Sequence, residues 1–358
     1  MRTSFAIGRV FGIEVRVHVS LIVILALLVY AFYISPPPLG FRDLENSLVL
    51  SILASLLVVL AILVHELAHS LVAMNFGVRV RTIVLFIFGG VAMMEEIPRE
   101  PKKEFMVAAA GPSASFALAF VSLALTPVLP FPISRLSVSF AYLNVILALF
   151  NLLPAFPMDG GRILRSFLAA RMGYARATKI AAEAGRMFAV LMAIFGLFYN
   201  YWLILIALFI YMGANEEERL VTLEEILGRV RVRDVMTREV LTVTPETRVA
   251  EVLELMLKHK HLGYPVVEDG RIVGVVTLKD IINANPDDPV ANVMSRSVVT
   301  ISPDATAFEA FKLMSENEIG RLLVTEDGKL VGIVTRSDIM KAKELLEAME
   351  VLGWRGSR

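Results

Sequence analysis

The sequence predicts a multi-pass α-helical membrane domain, with about six transmembrane helices and a short membrane-associated β hairpin, followed by a soluble α/β module. Hydrophobic residues make up 56% of the 358 residues. Residues 1–213 hold 16 Lys and Arg against 10 Asp and Glu, whereas residues 214–358 hold 19 against 25. The net charge therefore changes from +6 to −6 where the long apolar stretches end, and the chain divides into two physical classes near Gly213.

A repeat with a period of about 60 residues organises the second part of the chain and sets the remaining boundaries. The predicted divisions are a membrane-embedded domain (1–213), a linker (214–229), a first repeat (230–285), a second repeat (286–345) and a C-terminal tail (346–358).

Apolar stretches in the first part predict six membrane spans, since about 20 apolar residues are needed to cross a bilayer as a helix. The last of them is short. The predicted spans are 17–34, 47–76, 105–128, 137–153, 180–199 and 201–212.

Basic residues mark alternate connecting segments, and such residues favour the cytosolic side of a membrane. The opposite segments contain only Arg42 and Arg135. The sequence therefore predicts a cell-membrane protein whose N-terminus and C-terminal module are cytosolic. The chain has no cysteine, which excludes disulfides and thiolate metal sites, and a cleavable signal peptide is not expected. The basic set is Arg2, Arg9, Arg16, Arg79, Arg81, Arg99, Lys102, Lys103, Arg162, Arg165, Arg171, Arg176 and Lys179.

The motif His65-Glu66-Leu67-Ala68-His69 directly follows 18 residues, 47–64, that carry no charge. On a helix, imidazoles at positions i and i+4 share one face and can bind one metal ion, and the glutamate between them can hold a metal-bound water. Ionisable groups are costly in an apolar span, so three within five residues indicate a functional site. The alternative is a polar helix end near the membrane surface. The pattern favours metal-assisted hydrolysis.

A third metal ligand is expected elsewhere, because catalytic zinc usually takes three protein ligands in a tetrahedral site. Asp159 is the leading candidate. It follows an apolar run, in a segment where Pro154 and Pro157 break the helix. Irregular backbone at membrane depth is tolerated only where it is buried in protein or lines a cavity. The alternative is a membrane-exit turn in which Asp159 caps the next helix.

Together these motifs resemble the site-2 protease family of intramembrane zinc metalloproteases, which joins a His-Glu-x-x-His helix to a later Asn-x-x-Pro-x-x-x-x-Asp-Gly segment. The resemblance implies one zinc ion per chain, bound by His65, His69 and Asp159, with Glu66 as general base. It also implies that Asn151 positions the substrate or steadies its oxyanion. A further family element, Ala-Gly-Pro-x-x-Asn, matches residues 110–115 except that a serine, Ser115, replaces the asparagine.

The resemblance further implies a substrate that is another protein's transmembrane segment. Such a helix must unwind locally before a peptide bond is accessible, since backbone groups in lipid are satisfied internally. Residues 78–83 alternate apolar and polar, residues 84–88 continue as an apolar run, and Gly89-Gly90 separates them from the apolar residues 91–94, which predicts a β hairpin. Its edge could pair with an extended substrate by strand addition, or the hairpin could be a structural plug. His18 is interpreted as a membrane-interface residue or a supporting partner of the metal site.

The repeat resembles a tandem pair of CBS domains over nearly all of residues 230–345. Residues 232–237 recur as 290–295, and residues 266–280 match 323–338. CBS pairs commonly bind adenine nucleotides in clefts between the repeats, where a Thr-x-x-Asp segment reaches the ribose and phosphate. The resemblance therefore proposes five nucleotide-binding residues, namely Thr277, Asp280, Arg321, Thr335 and Asp338.

These nucleotide-binding residues have a physical rationale and one asymmetry. A threonine hydroxyl and a carboxylate at a strand-to-helix turn can bind sugar hydroxyls, and a helix N-terminus favours phosphate. Arg321 could meet a phosphate, but Gly263 occupies its position in the first repeat, so one cleft could be empty. The alternative for the module is a purely structural role in a homodimer.

The sequence as a whole predicts an intramembrane zinc metalloprotease that acts within the lipid bilayer and is regulated by nucleotide binding, with no nucleic-acid partner. The rival class is a CBS-regulated transporter or channel without proteolytic activity. Transport calls for repeated halves or a continuous polar path, neither of which is apparent. A catalytically silent scaffold would lack a member of the zinc set, whereas all members are present.

Overall fold

The computed structural model describes residues 4–86, 89–94 and 99–352. The chain divides into two compact units, Met1–Arg219 and Leu220–Arg358.

Helices with apolar sequences form most of the first unit. Four helices in the described part of the chain are long and apolar enough to cross a membrane, namely α2, α3 with the turn that follows it, α4 and α6. The helices are α1 (Ser20–Ile34), α2 (Ser47–Asn75), α3 (Pro101–Leu125), α4 (Ile133–Asn151), α5 (Asp159–Met172), α6 (Tyr174–Tyr199) and α7 (Trp202–Leu227).

The other two predicted spans correspond to helices with shorter apolar stretches. Helix α1 has 15 residues, and the apolar first half of α7 is followed by the charged segment Glu216–Arg219. The count of six spans therefore stays a prediction.

Helix α3 lies at the centre of the first unit and packs against α2, α4 and α5. Its buried face consists largely of small side chains, including Ala108, Gly111, Ser115 and Ala119. Small residues let helix backbones approach closely, which is how helices associate when lipid supplies no hydrophobic drive. This close approach brings α3 against the His-Glu-x-x-His motif of α2.

A four-stranded sheet packs beside these helices in the order β1-β2-β3-β4. The strands are β1 (Ser4–Val10), β2 (Ile13–His18), β3 (Val80–Phe86) and β4 (Gly89–Met94). The predicted pair, β3 and β4, is antiparallel, and β3 also pairs in parallel with β2 of an N-terminal hairpin that the sequence analysis did not predict. Ile13, Ile83 and Leu85 form a common core with Leu67 of α2. This core fixes the sheet against the motif helix.

The second unit contains two similar α/β repeats. Its helices are α8 (Val232–Val235), α9 (Val249–His259), α10 (Leu278–Ile281), α11 (Ala307–Glu316) and α12 (Arg336–Val351). Its strands are β5 (Gly263–Glu268), β6 (Arg271–Thr277), β7 (Thr300–Ile301), β8 (Arg321–Glu326) and β9 (Lys329–Thr335). The hairpins β5–β6 and β8–β9 are antiparallel, and each repeat has its own hydrophobic core.

The predicted linker is mostly helical, because residues 214–227 continue α7. Leu223 and Leu227 are buried in the core of the second unit. The glutamate and leucine residues of this segment are good helix formers, which explains why the helix does not end where the apolar stretch ends. The two units divide at Arg219, six residues beyond the predicted boundary.

Candidate metal centre

The three predicted metal ligands converge on one point, although Asp159 is 90 residues from His69 in sequence. His65 and His69 lie on one face of α2, and Asp159 is the first residue of α5. Asp159 Oδ2 is 3.1 Å from His65 Nε2 and 3.1 Å from His69 Nε2, and the two Nε2 atoms are 3.2 Å apart. All three side chains are buried. The alternative in which Asp159 only caps a helix does not explain this convergence.

Each histidine is held by its second ring nitrogen. His69 Nδ1 donates a hydrogen bond to the Val107 carbonyl oxygen at 2.7 Å. His65 Nδ1 shares a hydrogen bond with Ser115 Oγ at 3.0 Å. In a neutral imidazole only one nitrogen carries a proton, so the bond to Val107 leaves a lone pair on His69 Nε2. Partners of this kind fix the ring orientation of metal-binding histidines.

This ligand set fits a zinc ion. Nε2 lone pairs and a carboxylate oxygen would repel one another at these distances unless a proton or cation lies between them. Ligand atoms at about 2.0–2.1 Å from a tetrahedral zinc ion lie about 3.3–3.4 Å from one another, close to the observed spacing. Two imidazoles and one carboxylate are an ordinary catalytic zinc set that leaves the fourth position for water or substrate.

Gly111 forms the wall of the site on the α3 side, a role that the sequence analysis missed. A Cβ atom added to Gly111 would lie 2.2 Å from His69 Nε2 and 2.6 Å from His65 Nε2. Only a residue without a side chain fits here. The signal was present in the sequence, since Gly111 belongs to the Ala-Gly-Pro element in residues 110–115. Ser115, the departure from the family pattern in that element, supplies the contact to His65.

Glu66 lies between the histidines on α2 and faces the start of β4. It is half-buried, and a Cβ atom added to Gly90 would lie 2.4 Å from Glu66 Cγ. The glycine at position 90 therefore lets the strand pass directly over the glutamate. The sheet thus brings backbone close to the predicted general base.

The Asp-Gly-Gly sequence explains how Asp159 is presented. A Cβ atom on Gly160 would lie 2.3 Å from the backbone oxygens of Leu152 and Leu153, and one on Gly161 would lie 2.7 Å from the Ala155 carbonyl carbon. The first turn of α5 is therefore packed on the backbone of the preceding loop. This contact fixes the start of the helix and with it the carboxylate.

Asn151 and His18 lie outside this cluster of ligand contacts. Asn151 is the last residue of α4, is half-buried, and donates from Nδ2 to the Leu147 carbonyl oxygen at 3.0 Å. His18 ends β2, and its Nδ1 lies 2.8 Å from Ser20 Oγ. The catalytic role of Asn151 stays a prediction.

The Thr-x-x-Asp segments of the two repeats form helix caps. Asp280 Oδ2 accepts hydrogen bonds from the backbone N–H and the hydroxyl of Thr277, at 2.7 and 2.6 Å. Asp338 Oδ2 accepts the same two bonds from Thr335, at 2.9 and 2.6 Å. These residues therefore stabilise the starts of α10 and α12, and their role in ligand binding stays a prediction.

Arg321 lies against the equivalent position of the other repeat. Its Nη1 donates to the Gly263 carbonyl oxygen at 3.0 Å. The side chain is half-buried, and this burial lowers the pKa of its guanidinium. The guanidinium has thus lost part of its hydration, and the hydrogen bond to Gly263 replaces that water only with an uncharged carbonyl oxygen.

Comparison with known proteins agrees with this geometry. The model of peptidase family M50 matches residues 53–131 and 127–195, and the CBS domain model matches residues 232–287 and 290–345. The chain is 38% identical over 355 residues to a zinc metalloprotease of Methanocaldococcus jannaschii, across 98% of this chain and 99% of the relative. It is 34% identical over 365 residues to the protein Rip3 of Mycobacterium tuberculosis, across 95% of this chain and 93% of the relative.

A solved structure is similar to part of the chain. The site-2 protease from Methanocaldococcus jannaschii is 37% identical, with a TM-score of 0.46, over 60% of this chain and 95% of that one. The comparisons do not favour the rival class of a transporter or channel. With a cluster of side chains that could hold a metal ion and its similarity to the archaeal relative over nearly the full length, the chain belongs to peptidase family M50, as a site-2-protease-like zinc metalloprotease of the membrane with two CBS domains.

Proposed function

We propose that this chain hydrolyses peptide bonds within or near transmembrane segments of membrane proteins, with one zinc ion held by His65, His69 and Asp159. The observation that carries the proposal is the buried convergence of their three ligand atoms at 3.1–3.2 Å. The unit around them contains, in its described residues, four helices long and apolar enough to cross a membrane. A bound zinc ion supplies Lewis-acid polarisation of a peptide carbonyl and lowers the pKa of water.

The protein groups perform the remaining work. Glu66, beside the ligands on α2, accepts a proton from the attacking water and delivers it to the leaving amine. Val107 and Ser115 hold the imidazoles in place. Asn151 is proposed to bind the substrate backbone, for which its Nδ2 exchanges the Leu147 carbonyl for a substrate carbonyl.

Strand β4 is the proposed docking edge for the unwound substrate. It is the last strand of the described sheet and passes over Glu66 at Gly90. Val91 and Met93 on this strand are exposed. Main-chain pairing along β4 would hold a substrate extended, with its peptide bonds beside the general base. Photo-cross-linking from position 93 to a substrate tests this pairing; its absence would favour the hairpin as a structural plug.

We propose a cytosolic N-terminus and cytosolic CBS domains. The support is the alternation of basic segments along residues 1–213, which places Arg42 and Arg135 alone on the opposite side. Because the chain has no cysteine, one cysteine introduced near the C-terminus can be labelled from either side of the membrane without background. Labelling from outside intact cells would overturn the orientation.

Zinc content is the first test of the proposed metal site. Purified in detergent, the full chain should hold about one zinc ion, as a three-ligand catalytic site does. Asp159→Ala removes one of three ligands and should lower zinc affinity at least about 100-fold, since even supporting groups cost about 10–100-fold. The matched control is Asp43→Ala, an exposed aspartate outside the cluster. A well-folded wild type without zinc would refute the proposal.

The CBS unit is proposed to bind one adenine nucleotide per chain and to regulate proteolysis, with assembly into a homodimer through the same unit. The support is Arg321, a partly dehydrated cation that contacts the equivalent position of the first repeat. Arg321 lies where the two repeats meet, and the equivalent residue of the first repeat is the uncharged Gly263. We therefore expect this position to bind one phosphate group. Thr277, Asp280, Thr335 and Asp338 would contact the nucleotide through atoms not used in their helix caps.

Calorimetry with AMP, ADP and ATP on the full chain tests this site. We expect one nucleotide per chain in the wild type and at least about 10-fold weaker binding in Arg321→Met, because a charge-assisted hydrogen bond contributes about 1.5–3 kcal/mol. Arg271→Met, at an exposed residue of β6, is the matched control. Equal binding by both variants would contradict the assignment of Arg321. No binding to the wild type would favour a structural role for the unit.

A further inference from the structure

We propose that Arg165 is a positioning residue for the metal ligand Asp159. In this proposal, a buried ion cluster of Glu104, Arg165 and Glu217 fixes α5 so that the Asp159 carboxylate meets the two histidines. The inference rests on the proposed metal site and adds three residues to its supporting structure.

The guanidinium of Arg165 is bound on every side. Its Nε donates to Glu104 Oε1 at 2.7 Å, and its Nη2 donates to the same oxygen. Its Nη1 donates to Glu217 Oε1 at 2.6 Å. The rings of Phe156 and Tyr174 lie 4.9 and 4.7 Å from its central carbon. These contacts join α5 to α3, to α7, to the start of α6 and to the loop before α5.

Stability alone does not account for this cluster. Arg165 and Glu104 are each only 4% exposed, and Glu104 Oε2 is buried without a hydrogen-bond partner among the described residues. Dehydrating ions is costly, and well-packed apolar residues in place of a buried ion pair are often as stable or more stable. A planar guanidinium instead fixes the orientation of its partners, because its N–H donors point in fixed directions and aromatic rings stack only on its two flat faces.

The cluster connects α5, which carries Asp159, to α3, which packs against the two histidines of α2. Helix α3 presents Glu104 and also the Val107 carbonyl, Gly111 and Ser115, which surround the histidines. All four of these residues belong to its buried face. Clamping α5 onto Glu104 therefore sets the distance between Asp159 and the histidines.

Arg165 also contacts the chain on the other side of Asp159. Phe156, fully buried, lies three residues before the ligand, whereas Arg165 lies six residues after it. One guanidinium thus restrains both flanks of the ligand. An error of about 1 Å in the backbone position of Asp159 would move its carboxylate oxygen out of ligand range.

A second ion pair provides a matched control. Arg186 of α6 pairs with Glu218, the residue next to Glu217 on α7. This pair joins α6 to α7, and both side chains are more exposed than the Arg165–Glu104 pair, at 22% and 24%. Loss of Arg186 therefore removes a comparable bond to α7 without releasing the contact between α5 and α3.

The experiment measures zinc affinity, by chelator competition, and the visible absorption spectrum of the Co²⁺-loaded full chain. Arg165→Met should weaken zinc binding about 10–100-fold, the usual effect of a supporting group, and should change the Co²⁺ bands that report ligand geometry. Arg165→Lys keeps the charge but not the fork, and should restore only part of the affinity. Arg186→Met should match the wild type in both readouts.

A double variant separates positioning from folding, because Arg165→Met alone leaves Glu104 as an unpaired buried charge. With Glu104→Leu added, the buried Arg165–Glu104 pair is replaced by two apolar side chains and only the half-buried Glu217 remains charged. The chain is therefore expected to fold, yet zinc binding should remain weakened and the Co²⁺ spectrum altered. Wild-type affinity and spectrum in this double variant would overturn the positioning role. Absence of zinc and Co²⁺ binding by the wild type would instead refute the metal site itself, and the inference with it.

Discussion

The substitution Gly111→Ala is expected to weaken zinc binding strongly and to reduce proteolysis with it. The added methyl would lie 2.2 Å from His69 Nε2 and 2.6 Å from His65 Nε2, far inside van der Waals contact. Neither ring can simply turn away, because Val107 and Ser115 hold their other nitrogens. Either α3 retreats from α2 or the imidazoles leave the ligand position, and both outcomes separate the three ligand atoms.

For Gly111→Ala we expect at least about 100-fold weaker zinc binding, beyond the effect of losing one supporting group, and about 1–3 kcal/mol of destabilisation from overpacking. The measurements are chelator competition and thermal unfolding in detergent. Gly8→Ala on β1 is the matched control, because a Cβ atom there would meet nothing within 4 Å. Normal zinc affinity in Gly111→Ala would show that α3 does not wall the site.

Gly111 also shows where sequence reasoning reaches the site and where it stops. The i and i+4 spacing on a single helix predicts the pairing of His65 and His69, and the broken helix around Asp159 makes it the candidate third ligand, whose carboxylate the structure places beside both histidines. Those inferences depend on local geometry that the sequence states directly. The closeness of Gly111 to both Nε2 atoms depends on how α2 and α3 pack together, and a single sequence does not predict the distance between two packed helices.

The same distinction explains the other differences in the fold. The parallel pairing of β2 with β3 joins segments separated by α1 and α2, and nothing local in the sequence indicates it. The continuation of α7 through the predicted linker was indicated by helix-forming residues, but the change from apolar to charged sequence outweighed that signal. The sequence indicates Arg165 only as one of many basic residues near a membrane surface. Its burial became evident only once α3, α5 and α7 were placed together.

Replacing Glu66 by glutamine should stop hydrolysis while leaving zinc in place. Glutamine has nearly the same shape, so the contact with Gly90 and the helix are preserved, but its amide cannot accept a proton from water at neutral pH. General acid–base catalysis contributes about 10²–10⁴-fold, and we expect a loss of that size in the cleavage rate of a membrane-embedded substrate.

The zinc content of Glu66→Gln should equal that of the wild type, because Glu66 is not among the three converging ligands. An unchanged zinc content would distinguish Glu66→Gln from Asp159→Ala, for which zinc content and proteolytic activity should fall together. Glu183→Gln, at an exposed glutamate of α6, is the matched control. Retained cleavage by Glu66→Gln would show that another group accepts the proton. Loss of zinc in that variant would instead mean that the glutamate supports the metal, and the division between ligands and general base on α2 would no longer hold.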